Sequence, residues 1–313
     1  MLFTKPFSTV YVAKLEYLNE LCDELGDIAG ISGNLVFSEV KKAAVCFALD
    51  VWETPILIEF ESISEAARIL RSAGKYWFLN PLSNIRRSRL IEEQLAKLPP
   101  FELSFPFEKV VPDIGCFSLV DKNILLYSTK CWKKWPLGHY EFIEDKLNPP
   151  NRAYLKLWEA LTLLNIYPKP KETALDLGAS PGGWTYVMQS FGAYVTAVDK
   201  APLDPKIGRL PYVTFLKQSA FSLNPNEFEQ TFDWLVCDIA CYPERLYELV
   251  INWITSKKAK QMIFTIKLQG ETDLNIIQQF QAIPNSRTLH LFNNKHEATF
   301  FYPATNFLFP KIE

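Results

Sequence analysis

From Asn151 onward the chain alternates short apolar runs with amphipathic stretches, and a glycine-rich loop sits at one of the junctions. This pattern constrains the fold more than any other feature of the sequence. Thr173–Leu177 reads as a strand and Gly183–Phe191 as a helix, with Gly178-Ala-Ser-Pro-Gly-Gly183 between them. Further strands are expected at Tyr194–Val198 (ending at Asp199), Val213–Leu216, Trp234–Cys237 (ending at Asp238) and Met262–Ile266 (ending at Lys267). Helices are expected at Arg152–Leu164, Arg245–Ile254 and Leu274–Ala282. Alternation of this kind gives an α/β fold, a parallel sheet covered on both faces. Thr288–Phe292 and Glu297–Tyr302 lie too close together for a helical crossover, so they should close the sheet as an antiparallel hairpin.

The first 146 residues have a different texture. Strands are expected at Val10–Ala13, Ala43–Leu49, Pro55–Phe60, Cys116–Leu119 and Ile124–Ser128, the last two as a hairpin turning at Asp121–Asn123. Helices are expected at Leu15–Leu25, at Ser64–Ser72 behind a serine cap ahead of Glu65, and at Ile85–Leu98. This mixture predicts one or two small α+β modules. The proline-rich stretch Pro136–Pro150 is the best linker, which divides the chain into domains 1–146 and 147–313.

With 313 residues, 48% hydrophobic and 22% charged, the chain has material for two cores. The net charge of −2 is no global signature of nucleic-acid binding, but its distribution is uneven: −7 over residues 1–65, +4 over 66–150 and +1 over 151–313. Lys130, Trp132, Lys133, Lys134 and Trp135 interleave cations with aromatic rings, as do surfaces that hold phosphates and stack bases; a face packed on the rest of the protein explains them equally well. Arg86, Arg87 and Arg89 are open to the same two readings. No apolar run reaches the length of a membrane span, and Met1 to Val10 has no apolar core of a signal peptide. The six cysteines are scattered with no Cys-x-x-Cys, which fits reduced thiols in a cytoplasm, and no His/Cys spacing points to a metal.

In an open α/β sheet, ligands bind outside the carboxyl ends of the strands. That edge collects Asp176–Gly183, Asp199, Asp238 and Lys267. Glycines let the loop turn tightly, and the helix start behind it offers free amides. An acid ending the next strand, Asp199, is placed to bind ribose hydroxyls. No Gly-Lys-Ser/Thr follows the loop and no G-x-G-x-x-G is present, so neither a P-loop nor a dinucleotide fingerprint is met. A nucleoside cofactor is expected.

Asp176-Leu-Gly178-Ala-Ser180-Pro181-Gly182-Gly183-Trp184-Thr resembles the first motif of the FtsJ-type RNA ribose 2′-O-methyltransferases. The resemblance extends to Asn151-Arg-Ala-Tyr-Leu-Lys156-Leu-Trp-Glu-Ala, Trp234-Leu-Val-Cys-Asp238, Phe264-Thr-Ile-Lys267 and His296-Glu297-Ala-Thr-Phe. It implies a Rossmann-like methyltransferase domain that uses S-adenosylmethionine, a catalytic tetrad of Lys156, Asp238, Lys267 and Glu297, and an RNA substrate, ribosomal RNA in particular. The implied cofactor residues are Asp176, Gly178, Ser180, Pro181, Gly182, Gly183, Trp184, Asp199, Ser219 and Asp238. The implied N-terminal module is α+β, ferredoxin-like and THUMP-like, and engages RNA. Ser219 stands where the family carries an acid toward adenine, and Ala153 where it carries a serine. Two other readings stay open: a silent RNA-binding or ribosome-assembly factor that keeps the fold, and a methyltransferase for another substrate. Lys267 is the expected base. Burial and a second lysine nearby would lower its pKa, whereas Asp238 and Glu297 would oppose that.

Overall fold

The computed structural model describes residues 5–42, 45–98, 102–107, 112–133 and 135–305. Two compact units divide between Glu141 and Phe142.

The first unit holds β1 (Thr9–Ala13), α1 (Leu18–Leu25), β2 (Gly30–Ser32), β3 (Leu35–Ser38), β4 (Ala48–Glu53), β5 (Ile56–Glu59), α2 (Ile63–Ala73), β6 (Tyr76–Leu79), α3 (Ile85–Glu92), β7 (Ile114–Asp121), β8 (Ile124–Ser128) and β9 (Lys130–Cys131). Its strands form two sheets. One has the order β2-β3-β1-β4-β9 and is antiparallel throughout; the other has the order β5-β8-β7-β6, with β6 and β7 parallel. Val10, Val12, Leu35, Phe37 and Trp52 from the first sheet share a core with Cys116 and Leu126 from the second.

Several expectations shift here. The strand expected at Ala43–Leu49 runs instead over Ala48–Glu53; residues 43 and 44 lie outside the described residues. Helix α2 starts at Ile63, and its cap is Ser62, whose hydroxyl accepts from the Glu65 amide. Helix α3 ends at Glu92, well short of Leu98. Within the cation–aromatic stretch, Trp132 and Lys133 are buried and the Trp132 indole donates to Glu53, whereas Lys130 is exposed. Lys134 lies outside the described residues. Arg87 lies over the Phe60 ring and Arg89 pairs with Glu92.

The second unit holds α4 (Tyr154–Leu164), β10 (Thr173–Leu177), α5 (Gly183–Ser190), β11 (Tyr194–Asp199), α6 (Pro205–Gly208), β12 (Val213–Lys217), β13 (Phe232–Cys237), α7 (Pro243–Ser256), β14 (Ala259–Lys267), α8 (Leu274–Gln281), β15 (Arg287–Leu289) and β16 (Glu297–Tyr302). Its sheet has the order β12-β11-β10-β13-β14-β16-β15. The five strands from β12 to β14 are parallel, and β16 and β15 close the edge antiparallel, as expected. The central strands are near-continuous apolar runs because helices cover both faces. All of α4 is buried, including Lys156 and Glu159. The chain order reverses between β10 and β13. That switch point is where an open α/β sheet leaves a crevice, and the carboxyl ends there deliver Gly178 and Asp238.

Candidate active site

Four charged side chains from four elements meet beyond the carboxyl ends of β13 and β14. Lys156 projects from α4, Asp238 follows β13, Lys267 ends β14 and Glu297 opens β16. The register explains one pairing directly: Lys267 and Glu297 face each other across the antiparallel β14–β16 ladder. The Lys156 ammonium donates to both Asp238 oxygens at 2.8 and 2.7 Å and lies 3.1 Å from Glu297 Oε1. The Lys267 ammonium donates to Asp238 Oδ1 at 2.6 Å and to Glu297 Oε2 at 2.5 Å. Each ammonium therefore bridges both carboxylates, and the cluster is formally neutral.

The electrostatics follow from this ring. Burial raises the Glu297 carboxyl, but Lys156 and Lys267 reverse that and hold its pKa at about 2. Burial lowers the Lys267 ammonium, but Asp238 and Glu297 outweigh it and hold its pKa above the ordinary lysine value. The two opposing influences anticipated from sequence are thus both present, and the carboxylates prevail.

Two clefts flank the cluster. A cleft of about 560 Å³ is lined by Lys156, Lys267 and Glu297 together with Asn151, Phe292 and Lys295. A second, of about 310 Å³, is lined by Gly178, Asp199, Ser219, Phe221, Ile239 and Arg245. Asp238 immediately precedes Ile239, so the charged ring lies at the junction between them.

The glycine loop makes the second cleft possible. Gly178 has φ +76°, and a side chain there would meet Ile239 Cβ at 2.8 Å. Gly182 has φ +116°, and a side chain would meet Ile207 at 2.7 Å. Both the turn and the close approach therefore require glycine. Asp199 accepts the amides of Ser180 at 3.0 Å and Ala201 at 2.9 Å, which pins the loop to β11. The Ser180 hydroxyl donates to the Pro202 carbonyl, and Pro181 follows a cis peptide bond. Ser219 caps a short 3₁₀ turn by accepting from the Phe221 amide. The Arg245 guanidinium lies 3.8 Å from the centre of the Phe221 ring. A carboxylate, glycine backbone and an aromatic face around a cleft of this size suit a nucleoside.

The remaining expected residues are placed elsewhere. Asp176 is buried within β10 and accepts the Thr185 hydroxyl at 2.6 Å. Burial, with the nearby charges of Asp238 and Asp199, raises its carboxyl to about 7 against the Thr185 bond. Trp184 is also buried, and its indole donates to the Ala153 carbonyl, tying α5 to the start of α4. Gly183 packs closely against Asn151. These residues shape the loop from behind.

Sequence reasoning missed Glu159. It sits on α4, fully buried, and accepts the amides of Phe292 and Asn293 and the Asn293 side-chain amide, each at 2.8 Å. β15 stops at Leu289 instead of running to Phe292, and the later amides turn to side chains: that of Leu291 to Asn294 Oδ1, and those of Phe292 and Asn293 to Glu159. The signal was a second charge, three residues after Lys156, on an otherwise apolar helix.

Residues 149–302 match the family model of the FtsJ-like methyltransferases. Among curated proteins, the chain is similar to the Ribosomal RNA large subunit methyltransferase M of several bacteria. That of Halorhodospira halophila is 35% identical over 177 residues, 53% of this chain and 50% of the relative. That of Laribacter hongkongensis is 37% identical over 140 residues, 43% of this chain and 38% of the relative. That of Xanthomonas axonopodis pv. citri is 35% identical over 181 residues, 53% of this chain and 50% of the relative. The chain spans about half the length of the curated relatives it matches. No helix among the described residues is long and apolar enough to cross a membrane.

Proposed function

We propose that this chain transfers a methyl group from S-adenosylmethionine to a ribose 2′-hydroxyl of RNA, with ribosomal RNA as its substrate. The observation that carries this reading is the neutral ring of Lys156, Asp238, Lys267 and Glu297 at the junction of the two clefts. S-adenosylmethionine would occupy the smaller cleft, with Asp199 toward its ribose, and would supply a methyl carbon activated by a sulfonium. The larger cleft would admit the acceptor nucleotide, with Phe292 as an apolar wall and Lys295 as a cation for its phosphates.

The chemical demand on the protein is removal of the hydroxyl proton as the oxygen forms its new bond. Lys267, as the neutral amine, takes that proton at Nζ and is then stabilised as the ammonium by Asp238 and Glu297. Lys156 holds both carboxylates in place. Because those carboxylates favour the ammonium, the amine is a minor species at neutral pH, and the rate should climb about tenfold per pH unit well into the alkaline range. The first unit would read the RNA. Its β1-α1-β2-β3-β4 order, paired as β2-β3-β1-β4, supports a ferredoxin-like part with no second helix among the described residues.

The test is incubation of the purified chain with labelled S-adenosylmethionine and total RNA, followed by mapping of 2′-O-methylation. Label in RNA, lost on nuclease treatment, is expected. Label in protein or a small molecule would move the substrate elsewhere. Cofactor binding without transfer to any substrate would favour the silent factor. Calorimetry on Asp199→Ala should show much weaker cofactor binding; unchanged affinity would put the nucleoside in another place.

A further inference from the structure

The first unit contains a cluster that methyl transfer does not use. Asp50 in β4, Cys116 in β7 and Cys131 in β9 bring a carboxylate oxygen and two Sγ atoms within 4.8 Å of one another. No short motif announces it, because the three residues come from distant parts of the chain. Asp50 and Cys116 are each 1% exposed. One Asp50 oxygen is fully engaged, accepting the amides of Val51 at 2.8 Å and Lys133 at 2.9 Å. The other, Oδ2, is buried with no hydrogen-bond partner among the described residues. A buried carboxylate oxygen that has shed its water needs a compensating partner, and a weak S–H donor is a poor one.

We propose that Asp50, Cys116 and Cys131 bind one zinc ion. Two thiolates and a carboxylate are a zinc donor set, and a fourth tetrahedral position remains for water. Bonds of about 2.0–2.3 Å in tetrahedral geometry separate donor atoms by about 3.3–3.8 Å, within the observed spread. On binding, both S–H bonds break, the protons leave to solvent and two zinc–sulfur bonds form; nothing is oxidised or reduced. The two thiolates, the carboxylate and the ion together carry one negative charge. Lys133, buried beside Asp50, carries the positive charge that balances it. Access is through Cys131, which lines a cavity of about 780 Å³ with Trp132 and Lys133. β4 and β9 belong to one sheet and β7 to the other, so the ion would fasten the two sheets of this unit together.

The experiment uses the full chain, purified without chelator and dialysed against zinc and then buffer. Elemental analysis should find about one zinc per chain, and replacement by cobalt(II) should give a thiolate-to-cobalt charge-transfer band. Zinc should protect Cys116 and Cys131 from alkylation, as mapped by mass spectrometry, while Cys22 reacts with or without it. Asp50→Asn keeps an oxygen for the two amides, and Cys131→Ser keeps the volume; each should weaken binding by more than the roughly 10–100-fold typical of losing an outer-shell partner. Wild-type protein with neither zinc nor a cobalt–thiolate band overturns the proposal. So does a Cys116–Cys131 disulfide in the freshly purified chain, or a band that both variants leave unchanged. The wild-type spectrum and the alkylation map decide the matter even if a variant fails to fold.

Discussion

Glu297 and Asp176 are both buried carboxyl groups in the same sheet, yet their protons are held in opposite ways. Glu297 ionises at about 2 and Asp176 at about 7. Burial pushes both upward, so the difference lies in their partners. Glu297 faces two ammonium groups. Asp176 has only the hydroxyl and the backbone amide of Thr185 as donors, and it feels the like charges of Asp238 and Asp199. One acid is part of a balanced ionic ring that can take up a proton at Lys267. The other is a packing element behind the glycine loop, close to neutral in the folded state.

The largest expected effect breaks the ring. Lys267→Ala should slow single-turnover methyl transfer by roughly 10²–10⁴, the span for a lost general base, with cofactor affinity within a small factor of wild type. Lys267→Arg should not restore the rate, because a guanidinium stays protonated. An arginine enzyme of near-normal rate would reduce Lys267 to a positioning charge and leave the ring without a proton acceptor.

The next effect tests the lone acid. The folded pKa of Asp176, about 7, stands above the ordinary aspartate value of 3.8. Folding therefore favours the protonated form, and wild-type stability should fall as pH rises from about 4 to 7 and level off above. At about 1.4 kcal/mol per pKa unit this is on the order of 4 kcal/mol. Asp176→Asn removes the titration and keeps an acceptor for Thr185. Its denaturation midpoint relative to wild type should rise across that pH window. A constant offset between the two would mean that the acid is ionised at little cost.

Glu297 has the opposite sign. Its folded pKa of about 2 lies below the ordinary glutamate value of 4.5, so its stabilisation is present above about pH 4.5 and lost as pH falls toward 2. The linked energy is on the order of 3 kcal/mol. Between pH 5 and 3 the wild type should lose more stability than Glu297→Gln, as read by denaturant titration at each pH. Equal losses would show that the lysines do not hold this carboxylate.

The contrast between the two acids was only partly legible in the sequence. The parallel strand Thr173–Leu177 and the antiparallel strand Glu297–Tyr302 are both short, largely apolar runs, so each could be bounded to the residue, and the charges at their ends followed. The direction of the Lys267 shift could not follow, because it depends on the distances to two carboxylates that arrive from other strands. The first unit was less readable. The hairpin of β2 and β3 turns on Gly33-Asn34, a signal present but passed over. β4 is hard to place from sequence because Asp50 interrupts its apolar run, accommodated by the amides of the adjacent Val51 and of Lys133, 83 residues on. β6 is a four-residue strand whose reason to exist is its parallel partner β7, distant in sequence.

The smallest expected effect isolates the side-chain hydrogen bond to Asp176. Thr185→Val preserves shape and removes only the hydroxyl that donates to Asp176 Oδ2 at 2.6 Å. A hydrogen bond to a charged acceptor contributes about 1.5–3 kcal/mol, and one to a neutral group about 0.5–1.5 kcal/mol. Near pH 5, where Asp176 is protonated in the folded state, the variant should therefore lose roughly 1 kcal/mol. Near pH 8, where the acid ionises, it should lose about 1 kcal/mol more. The loss should deepen only as pH passes the folded pKa of about 7, just above the window of about 4 to 7 in which Asp176→Asn gains. A Thr185→Val penalty independent of pH would assign the cost to packing of α5 on β10 and detach the hydroxyl from the titration of Asp176.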